Sequence, residues 1–203
     1  MVNNKNTTAK ISDNKIEDQC IDIIYPQISG LKNQMAEQRI NEAITRIVQK
    51  EIPMEGCDVY AEIFGRYEVE VNQKGILSIK FNFYTIAQMA ANGLNVQRSI
   101  TANLNTGQIY QLHDLFRPNS YYKVTLNRII NQSLEERDID LLEPFPGVSD
   151  YDEYYLTDHA LVLYWQELKY TAHALGTIEF VIPYTRISNL ISETGPIGIL
   201  LRD

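Results

Sequence analysis

The chain has 203 residues, 44% of them hydrophobic, and its 18 basic and 26 acidic side chains leave a formal charge of -8. That is enough chain for one large domain or two small subdomains with a real core, and the composition excludes collagen-like, disordered and disulfide-scaffold classes. The acidic balance, with no cluster of Lys and Arg, excludes nucleic acid as a partner, because phosphate binding depends on grouped cations.

No apolar run reaches the ~18 residues a membrane span needs, and the opening MVNNKNTTAKISDNKIEDQ lacks the apolar stretch of a secretory signal. A chain trimmed after an anchor or signal would read the same way. Cys20 and Cys57 are too far apart for a CxxC motif and too few for a framework, so they are either buried thiols or one bridge.

Residues 1–18 are polar and aperiodic and are expected to form a disordered leader. The run from Cys20 to Tyr25 reads as a strand closed by Pro26. Ser29 is placed to cap a helix carrying Leu31, Met35, Ile40, Ile44, Ile47 and Val48 that ends near Glu51, before Pro53.

Val59, Ala61, Ile63, Tyr67, Val69 and Val71 then alternate with Glu62, Glu68 and Glu70, the period of a half-buried strand. The turn at residues 72–75 leads into Leu77, Ile79, Phe81 and Phe83. Turns at Asn92-Gly93 and at Asn105-Thr106-Gly107 continue a meander of at least four strands, the last from Gln108 to Leu112.

Asn119 or Ser120 is placed to cap a second helix whose inward positions are Tyr122, Leu126, Ile129, Ile130 and Leu134. Residues 135–153 hold eight acidic side chains against the single Arg137, and read as an exposed acidic loop. Strands are expected from Ala160 to Leu168, buried on both faces, and from Thr177 to Ile182, then a helix from Arg186 to Ser192 stopped by Gly195-Pro196.

The order defines an α+β fold: an antiparallel meander sheet with helices packed on it. It divides into the leader, a subdomain at 19–105 and a second at 106–203.

Familiar catalytic and nucleotide signatures are absent from the sequence. His113 and His159 each adjoin an aspartate, but neighbours on a strand point to opposite faces, so no such pair is a ready acid–base couple. A three-histidine metal site would need His113, His159 and His173 to converge. Asp150, Asp152 and Glu153 offer carboxylates to calcium, yet the segment lacks the glycine and terminal glutamate of an EF-hand loop. Neither cofactor nor metal is expected.

Tyrosine is more informative, with 13 against 6 Phe and 1 Trp. Tyr151, Tyr154 and Tyr155 lie among the loop carboxylates, and Asp150, Tyr151, Asp152, Glu153, Tyr154 and Tyr155 form the expected binding patch for a cationic protein.

Five stretches carry a family likeness: Tyr25-Pro26-x-Ile28-x-Gly30; Ile40-Asn41-x-x-Ile44; Gly75-Ile76-Leu77-Ser78-Ile79; Leu104-Asn105-Thr106-Gly107 with Leu112-x-Asp114-Leu115-Phe116; and Gly176-x-x-Glu179-Phe180-x-Ile182-Pro183-Tyr184. Over about residues 20–192 the chain resembles the domains of unknown function in the extracytoplasmic part of RsiV-type anti-sigma factors and the amino-terminal region of PdaC-type peptidoglycan deacetylases. The resemblance implies a non-catalytic α+β module in two parts, which in the RsiV-type members binds lysozyme.

Two stretches depart from the pattern. A Gly-Ala-His-Gly-like turn reads Ala90-Ala91-Asn92-Gly93, and a Tyr-Glu-Ile-Ala-Pro-Tyr stretch reads Leu168-Lys169-Tyr170-Thr171-Ala172-His173.

The expected function is therefore a recognition module of the bacterial cell envelope whose partner is a lysozyme-like cationic protein or a peptidoglycan fragment. It would be extracytoplasmic by resemblance, and cytoplasmic if this chain is the whole native product. Two alternatives are a carbohydrate-modifying or metal-assisted hydrolase using Asp150, Asp152, His159 or His173, and an intracellular interaction protein.

Overall fold

The computed structural model describes residues 7–202. The chain divides into two compact units between Ile109 and Tyr110, four residues beyond the boundary expected from sequence. No helix among the described residues is long and apolar enough to cross a membrane.

The amino-terminal unit is a five-stranded sheet in the order β1-β2-β3-β4-β5 with helix α1 packed on it. Strand β1 (Lys10–Asp18) pairs antiparallel with β2 (Ile21–Ser29) from Lys10↔Ser29 to Asp18↔Ile21. The expected disordered leader is thus corrected over these residues, while residues 1–6 lie outside the described chain. Only Ile11 and Ile16 of β1 pack on the core. A continuous backbone ladder holds this strand, where an apolar period would have announced it.

Strand β2 runs through Pro26 instead of ending there. Its other edge meets β3 only at Ile21–Ile23, in parallel, so the ring falls where no strand ladder needs its N–H. At Ile28 the side chain of Asn41, on α1 (Gln34–Lys50), takes the place of a strand neighbour. It accepts from the backbone N–H at 2.8 Å and donates to the carbonyl at 2.9 Å. The cap of α1 is Asn33, whose Oδ1 accepts from Ala36 N, and not Ser29. Ala36, Ile40, Ala43, Ile44 and Val48 face the core, whereas Met35 is exposed.

Strands β3 (Tyr60–Gln73), β4 (Ile76–Ala87) and β5 (Leu94–Asn103) form the expected meander. The β3–β4 turn has positive φ at Lys74 (51°) and Gly75 (79°), the combination that follows the twist of a two-residue hairpin. A bulge between Val69 and Val71 shifts the pleat, so Val71 is buried while Val69 is exposed. Leu77, Ile79, Phe81 and Phe83 of β4, with Ile63, Ile100 and Ala102, face the α1 side chains.

The expected fourth meander strand shrinks to one bridge, Ala102↔Ile109. Asn103 Oδ1 accepts from Asn105 N and Thr106 N, and a Cβ on Gly107 (φ 75°) would come within 2.8 Å of Ala36 Cα. That tight turn ends the ladder. A Cys20–Cys57 disulfide, with Cα atoms 5.5 Å apart, joins the start of β2 to the turn before β3.

In the carboxy-terminal unit, α2 (Tyr122–Glu136) buries the five positions expected of it. Its N-cap is Tyr121, which makes no side-chain cap bond. Strands β6 (Tyr154–Leu156), β7 (Ala160–Trp165) and β8 (Ile178–Pro183) form an antiparallel sheet, with β7 buried throughout. Trp165 collects the rings of Phe145, Tyr170 and Phe180 at 4.6 to 4.9 Å.

The last helix lies later than expected: α3 (Pro196–Leu200) starts with Pro196 in its first turn after Gly195, so this dipeptide opens a helix. A fixed φ and a missing N–H cost nothing there.

Candidate functional site

The carboxy-terminal part of the segment expected to be an exposed acidic loop is fastened to α2. Val148 is buried and its N–H donates to Asn127 Oδ1 at 2.7 Å. Two residues on, Asp150 Oδ1 accepts from the Tyr122 hydroxyl and lies 2.9 Å from Lys123 Nζ. These partners hold the Asp150 carboxyl below its ordinary value, and burial with the adjacent carboxylate raises the Tyr122 phenol. The Asp150 carbonyl accepts from His113 N at 3.2 Å.

Asp152 accepts from the backbone and hydroxyl of Ser149, both at 3.1 Å, and stands 3.9 Å from Lys169 Nζ. Glu153 accepts from Gln166 Nε2 at 2.7 Å. Each carboxylate of the expected patch is thus held by a partner within the unit.

The tyrosines separate sharply. Tyr151 is 71% exposed, its ring meeting His113 edge-on at a centroid distance of 5.6 Å. Tyr154 and Tyr155 are each 5% exposed. The Tyr154 hydroxyl donates to Tyr110 O, and that of Tyr155 to Glu179 Oε1, each at 3.1 Å. Their expected place in an exposed patch is corrected: the sheet claims both rings. Tyr121 at the N-cap of α2, 80% exposed, and Val124 in its first turn, 65% exposed, flank Lys123 and were missed because the helix was read only for its inward face.

The hydrolase residues have separate partners. His173 Nδ1 lies 3.0 Å from the buried Glu167 carboxylate, and the His159 carbonyl accepts from Tyr184 N. Among the described residues no group of three or more His, Cys, Asp or Glu side chains is arranged to hold a metal ion.

The stretches that carried the family likeness act as fastenings. Asn41 braces Ile28, Gly107 lets its turn approach Ala36, and Asp114 Oδ2 accepts from Gln111 N at 2.8 Å while Leu112, Leu115 and Phe116 are buried. The Tyr184 hydroxyl donates to Thr157 O at 2.7 Å.

Residues 113–185 match the family model described as "Protein of unknown function (DUF3298)". It is also similar to the anti-sigma-V factor RsiV of Bacillus subtilis (strain 168), at 28% identity over 188 residues, 84% of this chain and 65% of RsiV. The chain therefore spans less than two thirds of that relative's length.

A DUF3298-family structure from Bacteroides fragilis aligns with a TM-score of 0.71 at 15% identity, covering 97% of this chain and 99% of the other. One from Pseudomonas aeruginosa PAO1 gives 0.67 at 11%, covering 98% and 99%. These two likenesses establish the shared fold.

Proposed function

We propose that this protein is a non-catalytic recognition module of the bacterial cell envelope that binds a lysozyme-like cationic protein. The observation that carries the reading is the similarity to an anti-sigma factor along 84% of this chain. The Cys20–Cys57 bond supports it, since disulfides persist in oxidising compartments and are rare in the cytosol. The same bond weighs against an intracellular interaction protein.

The net charge of -8 attracts a basic partner at long range. Local contact falls to Tyr151 with Asp150 and Asp152 beside it, because exposed aromatic rings among polar neighbours supply much of the energy of protein interfaces. Tyr154 and Tyr155 contribute by holding the sheet beneath. Peptidoglycan fragments are the second ligand to test, on the strength of the PdaC-type likeness.

Calorimetric titration with hen lysozyme, comparing the parent with Tyr151→Ala, tests the reading. Binding that weakens at least tenfold in the variant supports it; equal affinities remove Tyr151 from the contact.

A further inference from the structure

We infer that β1 is a docking edge for a second copy of this chain, the two strands pairing antiparallel about a twofold axis at Asn14. The strand ends the order of its sheet, and β2 is its ladder partner on one side alone among the described residues. Its second row of backbone N–H and C=O groups faces outward, the arrangement that templates another strand.

The edge is long and regular. β1 runs for nine residues, Lys10–Asp18, with no proline and no shift in its register with β2. Proline and bulges are common devices for blunting such an edge, and β1 uses neither. Lys10, Ser12, Asp13, Lys15, Glu17 and Asp18 are exposed, while Ile11 and Ile16 hold the strand to the core.

The occupant follows from the order of charges along KISDNKIED. Antiparallel pairing about Asn14 sets Lys10 opposite Asp18 and Asp13 opposite Lys15 of the second copy, and symmetry makes each pair twice. Opposite charges across a ladder stabilise it, and like charges oppose it. The remaining pairs, Ile11 with Glu17 and Ser12 with Ile16, bring no like charges together. Moving the centre one residue either way sets Asp13 against Asp13 or Lys15 against Lys15. Charges that only guard an edge need no such order; these are self-complementary in the register that pairs the whole strand.

The contacts these side chains make within the chain are compatible with the pairing. Lys15 Nζ lies 3.0 Å from Glu17 Oε2 and 3.8 Å from Asp22 Oδ1, in exposed pairs that cost little to share. Asp13 Oδ1 accepts from the Tyr67 hydroxyl, and a carboxylate has a second oxygen for a lysine. A single added ladder is a small interface, so the dimer is expected to form with rising concentration.

The test is sedimentation velocity on the whole protein up to about 1 mM, at moderate salt to screen the mutual repulsion of two chains of charge -8. The parent should shift from monomer to dimer, and Lys15→Glu, which faces Asp13 with a like charge, should weaken dimerisation at least tenfold. The register is read separately by cross-linking. Cys20 and Cys57 are bonded to each other, so an introduced cysteine is the one free thiol among the described residues. Asn14→Cys, which gives up only an exposed hydrogen bond to Gln27, places two thiols opposite each other across the ladder, within disulfide reach. In Lys10→Cys the two thiols stand about 27 Å apart, from a strand rise of about 3.4 Å per residue. Mild oxidation should therefore cross-link the first variant at least tenfold faster than the second, as read on a non-reducing gel. A parent that stays monomeric at the highest concentration, unchanged dimerisation of Lys15→Glu, or equal cross-linking of the two cysteine variants overturns the assignment. The Tyr151 surface belongs to the other unit, so none of these outcomes bears on lysozyme binding.

Discussion

The carboxamide of Asn41 spans the backbone of Ile28, accepting from its N–H at 2.8 Å and donating to its carbonyl at 2.9 Å. A helix side chain here completes the edge of β2 where β3 has diverged. Ile28 is fully buried, so Asn41→Leu leaves two backbone groups without their partner. The expected loss is about 2–4 kcal/mol, read from urea unfolding. A loss under about 0.5 kcal/mol would show that the brace is dispensable.

The Cys20–Cys57 bond joins residues separated by 37 positions, and in the chain-entropy account closing such a loop stabilises by about 4 kcal/mol. A Cys20→Ser, Cys57→Ser double variant should lower the denaturant midpoint accordingly, with reductant reproducing the effect on the parent. Identical midpoints in oxidised and reduced protein would contradict this.

Tyr67 donates its hydroxyl to Asp13 at 2.6 Å, linking β1 to β3, and burial together with that carboxylate pushes its phenol from 10.0 to about 12. The folded state keeps the proton longer than the unfolded chain does. The stability this contributes is therefore complete below pH 10 and falls as pH rises toward about 12. In Tyr67→Phe the alkaline loss between those limits should shrink, as followed by thermal melting at stepped pH. An unchanged alkaline profile would assign the loss to other groups.

At the other extreme, Asp150 is held low by the Tyr122 hydroxyl and Lys123, so its contribution is present above about pH 3.8 and is lost as pH falls through its lowered value. Asp150→Asn should flatten the acid limb of the stability profile. An acid limb as steep as the parent's would place the sensitivity elsewhere.

Much of the fold was legible because its apolar periods are local. Leu77, Ile79, Phe81 and Phe83, or Leu126, Ile129, Ile130 and Leu134, announce a strand and a helix without help from distant residues. Strand β1 was not legible, since Ile11 and Ile16 are five apart and their strand exists through its ladder with β2. The final helix was displaced because Gly195-Pro196 stops or starts a helix equally well on paper.

The candidate site was half legible. Composition pointed to a tyrosine-bearing acidic segment, but which tyrosines face outward depends on β6 pairing with β7, a contact that places Tyr154 opposite Leu163 and Tyr155 opposite Val162. The ion-pair partners Lys123 and Lys169 and the hydrogen-bond donor Gln166 are also distant in sequence from the carboxylates they meet.

The central claim, recognition of a basic envelope-active protein, is tested most directly by titrating the purified chain with hen lysozyme at low and at moderate salt, with a peptidoglycan digest as the second ligand. The account predicts saturable lysozyme binding that weakens as salt screens the charge of -8. Absence of binding to either ligand at low salt would contradict it.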